Sequence, residues 1–317
     1  MTARLPFRPC APVLAALLLV ACSRDAPPPP VPATEAPPPA AAKPKNDGTP
    51  RILAEAVNGV HIQYRLYGEG PVLVVLVHGW SCDSNYWNAQ LPDLRAKYTV
   101  ATVDLAGHGG SGANRDDWSM AEFGDDVVRV VEALKEYPRV VLVGHSMGGP
   151  VAVEAARRLK GRVVGVIGVD TLQAAGLPPT PPAQLAKLLV PFEQDFIGAT
   201  RGFVTQNFFT PKSDPALVRR IADDMSLAPP QVALPAMRAL GGWDAAPAIA
   251  DAGVPIVLIN AATPPTDGER LGKLIPQFKL VTLDGVGHFL MMEDPARFNP
   301  LLIAEIDRLA TAPAAGG

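Results

Sequence analysis

An apolar run that ends in a serine set between glycines constrains this chain more than any other feature. Val140-Val-Leu-Val143 leads directly into Gly144-His-Ser-Met-Gly-Gly149. β-Branched apolar residues running into Gly-X-Ser-X-Gly form the pattern of a buried strand that turns sharply into a helix, with the serine at the apex. The turn is strained, and a side chain at Gly144 or Gly148 would collide with the neighbouring strand or helix. The strain exposes the Ser146 hydroxyl and aims the next backbone N–H, that of Met147, at whatever the hydroxyl attacks. A five-residue pattern also fits an ordinary glycine-rich turn, so its weight comes from what surrounds it.

A serine hydroxyl is a weak nucleophile until a base takes its proton. The chain holds five histidines, His61, His78, His108, His145 and His288. Four of them fall in glycine-bearing loops at expected strand ends. Val72-Leu-Val-Val-Leu-Val77 runs into His78-Gly79-Trp80, and Val100-Ala-Thr-Val103 runs into Asp104-Leu-Ala-Gly-His-Gly-Gly-Ser111. Leu280-Val-Thr-Leu283 runs into Asp284-Gly-Val-Gly-His288-Phe289.

These motifs, in this order, resemble the α/β-hydrolase superfamily from about Arg51 to Leu309. The likeness is strongest to its esterase, lactonase and perhydrolase-like branches with a helical cap. It implies an α/β fold, a mostly parallel doubly wound sheet with an inserted helical cap. It implies Ser146 as nucleophile and His288 as base, because the superfamily order is Ser, acid, His. It also implies an oxyanion hole made by the backbone N–H groups of Trp80 and Met147. His78 and His145 read as loop-fixing residues, and His108 with Asp104 as ties for the loop after their strand. His61 has no functional case.

The acid departs from the common pattern. Many superfamily members carry an Asp a few residues after the strand corresponding to Pro255-Ile-Val-Leu-Ile-Asn260. Here that stretch reads Ala261-Ala-Thr-Pro-Pro-Thr-Asp267, with Pro264 near the expected position. Asp267 comes late and opens the next helix, where capping explains it. The preceding strand, Val163-Val-Gly-Val-Ile-Gly-Val169, ends directly in Asp170-Thr171. Some branches, haloalkane dehalogenases among them, take their acid from that strand end. A carboxylate there can orient the histidine's Nδ1–H and stabilise the imidazolium. Asp170 is therefore preferred and Asp267 kept as the alternative acid; strand-end capping is the competing explanation of Asp170.

The first fifty residues concern location. Arg4 and Arg8 precede the apolar run Ala11-Pro-Val-Leu-Ala-Ala-Leu-Leu-Leu-Val20, followed by Ala21-Cys22. A basic start, a short apolar run and small residues read as a secretory signal, and the run is too short to span a membrane. Leu19-Val-Ala-Cys22 resembles a bacterial lipobox, which implies cleavage after residue 21 and lipid attachment at Cys22. Ser23 after it resembles an outer-membrane signal, so the expected location is the periplasmic face of that membrane. A plain signal peptide cut nearby is the alternative. Residues 22–50, with Pro27-Pro-Pro-Pro30 and Pro37-Pro-Pro39, read as a semi-rigid tether. Of three cysteines, Cys10 leaves with the signal, Cys22 takes lipid and Cys82 remains alone, which excludes a disulfide within the mature chain. Loss of Arg4 and Arg8 moves the formal charge from −3 to −5, which offers nucleic acid no basic surface.

Residues 51–317 suit one domain. Ile52–Ala56 and Val60–Tyr64 read as an opening hairpin around Asn58-Gly59. Buried runs then alternate with helical stretches such as Met120–Lys135 and Met147–Leu159. Between about 171 and 252 the alternation stops and aromatics gather (Phe192, Phe196, Phe203, Phe208, Phe209, Trp243), which reads as the cap. Any one of these aromatics is more readily packing than pocket. The expected function is a serine hydrolase acting on an ester, lactone or related acyl bond of a small molecule, with no metal or cofactor. Perhydrolase or haloperoxidase-like chemistry is an alternative within the class. A non-catalytic ligand- or envelope-partner-binding lipoprotein is the alternative outside it. No sequence signal speaks for a particular oligomeric state.

Overall fold

Continuous apolar, β-branched runs can be satisfied only in strands covered on both faces, and they dictate the centre of this chain. The computed structural model describes residues 46–53, 58–275 and 277–311. The signal segment, Cys22 and nearly all of the expected tether lie outside the described residues. The strands are β1 Asp47–Ile52, β2 Gln63–Tyr67, β3 Leu73–Val77, β4 Thr99–Val103, β5 Val140–His145, β6 Val163–Val169, β7 Ile256–Ala261 and β8 Phe278–Leu283. The helices are α1 Leu91–Leu94, α2 Met120–Ala133, α3 Gly148–Arg158, α4 Pro182–Gln194, α5 Phe196–Asn207, α6 Pro215–Ser226, α7 Pro230–Gly241, α8 Ala245–Ala252, α9 Gly268–Leu274, α10 Leu290–Glu293 and α11 Pro295–Thr311.

Among the described residues the sheet runs in the order β1-β2-β4-β3-β5-β6-β7-β8. β1 and β2 pair antiparallel, β2 meets β4 antiparallel, and every pair from β4 to β8 is parallel. Every residue of β3, β4, β5 and β7 is buried. α3 lies against β3, β5 and β6, with α2 and α8 beside it. α11 covers the other face. Gly165, whose face would receive a Cβ against Leu309 of α11, is opposite in parity to Gly168, the register partner of the α3-facing Gly144. The mostly parallel, doubly wound sheet expected from sequence is therefore present.

The opening hairpin sits earlier on its first arm than expected, pairing Asp47–Ile52 with Gln63–Tyr67, so β1 starts inside the stretch read as tether. Its burial pattern is largely exposed, Pro50 interrupts it and its register shifts between Asp47 and Pro50. An edge strand of this kind carries no apolar alternation to read. The insertion between β6 and β7 supplies α4 to α7 as the cap. α8, also counted in the insertion, packs along α3 instead.

The loop after β4 props the cap, since Gly107 abuts Val232 of α7. Buried carboxylates hold it. Asp104 accepts from Ser84 N–H (2.9 Å), Gln63 Nε2 (2.8 Å) and Gly110 N–H (2.9 Å). Asp126 of α2 accepts from Ala106 N–H (3.0 Å) and from Arg115 Nη1 (2.8 Å), both side chains being buried. Burial outweighs the pull of Arg115 and raises the Asp126 carboxyl from 3.8 to about 6. The folded state thus holds this proton more tightly than the unfolded state. The resulting stability is full below pH 3.8 and is lost as pH rises through about 6. Asp126→Asn keeps an acceptor for Ala106 and cannot ionise, so urea titrations should show a flatter stability curve between pH 4 and 6. At pH 7.5 the same variant leaves Arg115 buried without its partner and should lose about 3 kcal/mol.

Candidate active site

β5 delivers the chain to Ser146, which adopts φ +52°, a left-handed conformation that few non-glycine residues take. Ser146 N–H donates to Val169 O of β6 (3.0 Å), and Ser146 O accepts from Gly149 N–H (2.9 Å) and Thr171 Oγ1 (2.6 Å). The turn is this tight because α3 enters against the sheet with no room for side chains. A Cβ on Gly148 would come 2.5 Å from Val77 O and 2.7 Å from His78 O, and one on Gly144 would overlap the Gly148 backbone. The His78-Gly79-Trp80 loop abuts the same turn, since a Cβ on Gly79 would lie 3.1 Å from Ser146 Cβ. Met147 follows Ser146 in the chain, and Trp80 follows Gly79, which abuts it. Neither backbone N–H donates to a backbone carbonyl among the described residues.

His288 lies in the loop after β8. Its Nδ1–H donates to Asp170 Oδ2 at 2.6 Å, and both side chains are nearly buried. The other Asp170 oxygen accepts from Ala261 N–H at the end of β7 (2.9 Å), and Asp170 N–H donates to Ile259 O (3.0 Å). Asp170 also sits in the left-handed region, at φ +43°. Asp267 is elsewhere. Its carboxylate caps α9 by accepting from Arg270 N–H (2.9 Å), with its side chain half exposed. Of the two candidate acids, Asp170 is the one the structure brings to His288.

The cap reaches this pair directly. Phe208, at the end of α5, accepts the His288 N–H on its carbonyl (2.7 Å) and stacks on the imidazole at 4.3 Å between centroids. His145 supports the loop from below, its Nε2–H donating to His288 O (3.0 Å). Burial, with His288 nearby, holds His145 well below the usual histidine range, so it is a neutral donor. His78 donates from Nδ1 to Gly79 O (2.8 Å) and accepts from Leu105 N–H at Nε2 (3.1 Å), and burial lowers its pKa too. Burial pushes His108 down to about 3 while it donates to Ala106 O (2.9 Å). These three are structural imidazoles.

Ser146, Met147, Asp170 and His288 line one cavity of about 320 Å³ under the cap. Trp80 does not line it. The indole of Trp80 donates to Ala233 O of α7 (2.7 Å) and packs edge-on against Phe192 and Phe196. Of the aromatics gathered in the insertion, Trp243 alone is among the cavity-lining residues. Cys82 is buried, its thiol raised well above 9 by that burial, and donates to Trp80 O at 3.3 Å. It is an inert packing residue.

Comparison with known proteins places the chain in a family. The profile of the Alpha/beta hydrolase family matches residues 74–301. A pimeloyl-[acyl-carrier protein] methyl ester esterase of Neisseria meningitidis is 28% identical over 228 residues, 68% of this chain and 85% of that one. Among solved structures, a thermophilic esterase from Thermogutta terrifontis superposes with a TM-score of 0.72 at 24% identity, over 82% of this chain and 98% of its own. The enol-lactonase from Burkholderia xenovorans superposes with a TM-score of 0.70 at 23% identity, over 80% and 99%. Both likenesses are likenesses of fold.

Three residues that hold the site carry no motif. Thr171 and Phe208 are described above. Asn260, fully buried at the end of β7, accepts from Thr171 N–H (3.2 Å) and donates to Thr171 O (3.1 Å) and Thr266 Oγ1 (3.0 Å). A polar residue at the end of an apolar strand was the available signal, since a buried amide must find partners. Asn260→Leu should leave both Thr171 backbone groups unsatisfied and cost at least about 2 kcal/mol in chemical denaturation. Asn260→Asp still accepts but sets a carboxylate against Thr171 O with no counter-ion, and should cost at least as much.

Proposed function

The chain belongs to the alpha/beta hydrolase family, and from that premise we propose that it is a serine hydrolase cleaving a carboxylic ester, lactone or related acyl bond. One observation carries the reading. A serine held in a left-handed turn faces the same cavity as a histidine whose Nδ1–H is taken by a buried carboxylate.

In this reading His288 Nε2 takes the Ser146 proton as Oγ bonds the acyl carbon. Negative charge on the former carbonyl oxygen faces the N–H groups of Trp80 and Met147. Collapse breaks the bond to the leaving oxygen, which departs with the proton from His288. Water then attacks the acyl-enzyme, giving its proton to His288, and Ser146 recovers its own as the acid is released. Asp170 keeps Nδ1–H in place, so that Nε2 is the basic nitrogen, and stabilises the imidazolium without taking the proton. The methyl ester esterase among its relatives supports an acyl bond as the target.

A fluorophosphonate probe should label the wild type and not Ser146→Ala, and Ser146→Ala should lose on the order of 10⁶ in kcat on short p-nitrophenyl esters. Asp170→Asn should lose about 10⁴ in kcat with little change in Tm. Asp267→Ala should keep its turnover and lose about 1 kcal/mol of stability. A wild type that neither labels nor turns over esters overturns the reading in favour of a ligand-binding protein.

Residues 1–50 support a location for this activity. We propose cleavage after residue 21, lipid attachment at Cys22 and anchoring at the periplasmic face of the outer membrane. Several acyl chains, at about 0.8 kcal/mol per buried methylene, hold far more firmly than one. Metabolic labelling with a lipid precursor should mark the wild type and not Cys22→Ala. Wild-type chain found free in the periplasm would exclude the anchor.

A further inference from the structure

The cavity beside Ser146 is neutral to an unusual degree. Among its lining residues only Asp170 and His288 are titratable, and they are bonded to each other. Thr171, another lining residue, has its hydroxyl committed to Ser146 O. Among the described residues no lysine or arginine lines it, and the Arg270 guanidinium behind it is committed to the carbonyls of Gln173 and Ala175. A carboxylate, phosphate or ammonium carried into this space would meet no counter-ion, and an unpaired buried charge is heavily disfavoured.

α3 and its N-cap border the cavity through Pro150 and Met147, three residues apart. Glu154 comes one turn after Pro150, and there the cavity stops. Trp243 stands at that point, lining the space, with its indole N–H donating to Glu154 Oε1 at 2.8 Å. Glu154 is buried, and its other oxygen accepts from Arg157 Nη1 (2.8 Å) and Arg158 Nη1 (3.2 Å). The indole is therefore a fixed wall. Leu177, 49% exposed, and Pro178 border the cavity where it meets solvent.

We propose that this cavity is an acyl pocket closed by Trp243, which admits uncharged acyl groups of up to roughly ten carbons. The proposal rests on the acyl-enzyme reading at Ser146. About 320 Å³ at about 30 Å³ for each water-sized group sets the upper bound, since that volume includes the open side. The acyl group is assigned to the closed end because it stays bonded to Ser146 through both half-reactions. The leaving alcohol and the incoming water exchange through the mouth at Leu177. Trp243 is thus the specificity-determining residue.

The test is a ladder of p-nitrophenyl esters from butyrate to dodecanoate, read as kcat/KM on the full chain. In the wild type kcat/KM should rise by up to roughly fourfold per buried methylene, peak near octanoate or decanoate, and fall for dodecanoate. Trp243→Ala should raise the dodecanoate-to-butyrate ratio at least about tenfold, the return on two or more newly buried methylenes. Trp243→Phe, which keeps a ring but cannot donate to Glu154, should retain the wild-type peak. Ala245→Leu fills the lining from α8 and should move the peak to shorter chains, so the wall stays testable if Trp243→Ala does not fold. The glutarate half-ester, which carries a carboxylate into the pocket, should be at least about a hundredfold poorer than the pentanoate ester. A parallel ladder of acetate esters with lengthening alcohols should be flat. An unmoved peak in Trp243→Ala and Ala245→Leu, parity of the half-ester, or a ceiling on the alcohol ladder overturns the pocket. A wild type inactive on every ester overturns the acyl-enzyme reading first, and the pocket with it.

Discussion

The tightest constraint in this molecule is the close approach of α3 to the sheet at the end of β5. Gly144 and Gly148 let backbone meet backbone there, and the chain can make the turn only by holding Ser146 at positive φ. Everything at the site is arranged around that contact. The loop carrying Trp80 closes on one side through Gly79, while Thr171 ties the Ser146 carbonyl on the other. The strain in the turn is sustained because strands and helix over-determine it.

A second layer couples the cap to the sheet domain by hydrogen bonds as well as apolar packing. Phe208 holds the His288 amide, Trp80 donates to α7, and Tyr86 Oη–H donates to Asp224 of α6 at 2.6 Å. Trp243 reaches Glu154 of α3. These four links come from different cap segments and meet the sheet domain at four different places. A cap fastened in this way encloses the cavity while leaving the mouth at Leu177 open.

The parallel strands were legible from their apolar, largely β-branched runs, least so β8, where Lys279 interrupts and the strand starts two residues before the run at Leu280. The pairing of Asp170 with His288 was legible for a related reason. Both residues end apolar strands, and parallel neighbours bring their ends to one rim. Asp267 could be set apart on local grounds alone, as a helix cap. What could not be read depends on contacts between distant segments. Thr171 and Asn260 meet across 89 residues, and neither belongs to any pattern. β1 is exposed and broken by Pro50, so it shows no alternation. The aromatics of the insertion looked alike in sequence, and only their packing separates Trp243, on the cavity, from Phe192 and Phe196, under Trp80.

Asp170 is the last residue before the insertion, and Thr171, Leu172 and Gln173 behind it already line the cavity. The end of β7 contributes an amide, that of Ala261, where a carboxylate would otherwise stand. A cap exchanged between relatives would therefore carry the junction at Asp170 with it, so substrate range and proton handling are inherited through one seam. The loop from Ala262 to Thr266, free of any charge, is released from that linkage. Apart from Thr266, which accepts from Asn260, it can exchange one uncharged residue for another without altering the field at His288.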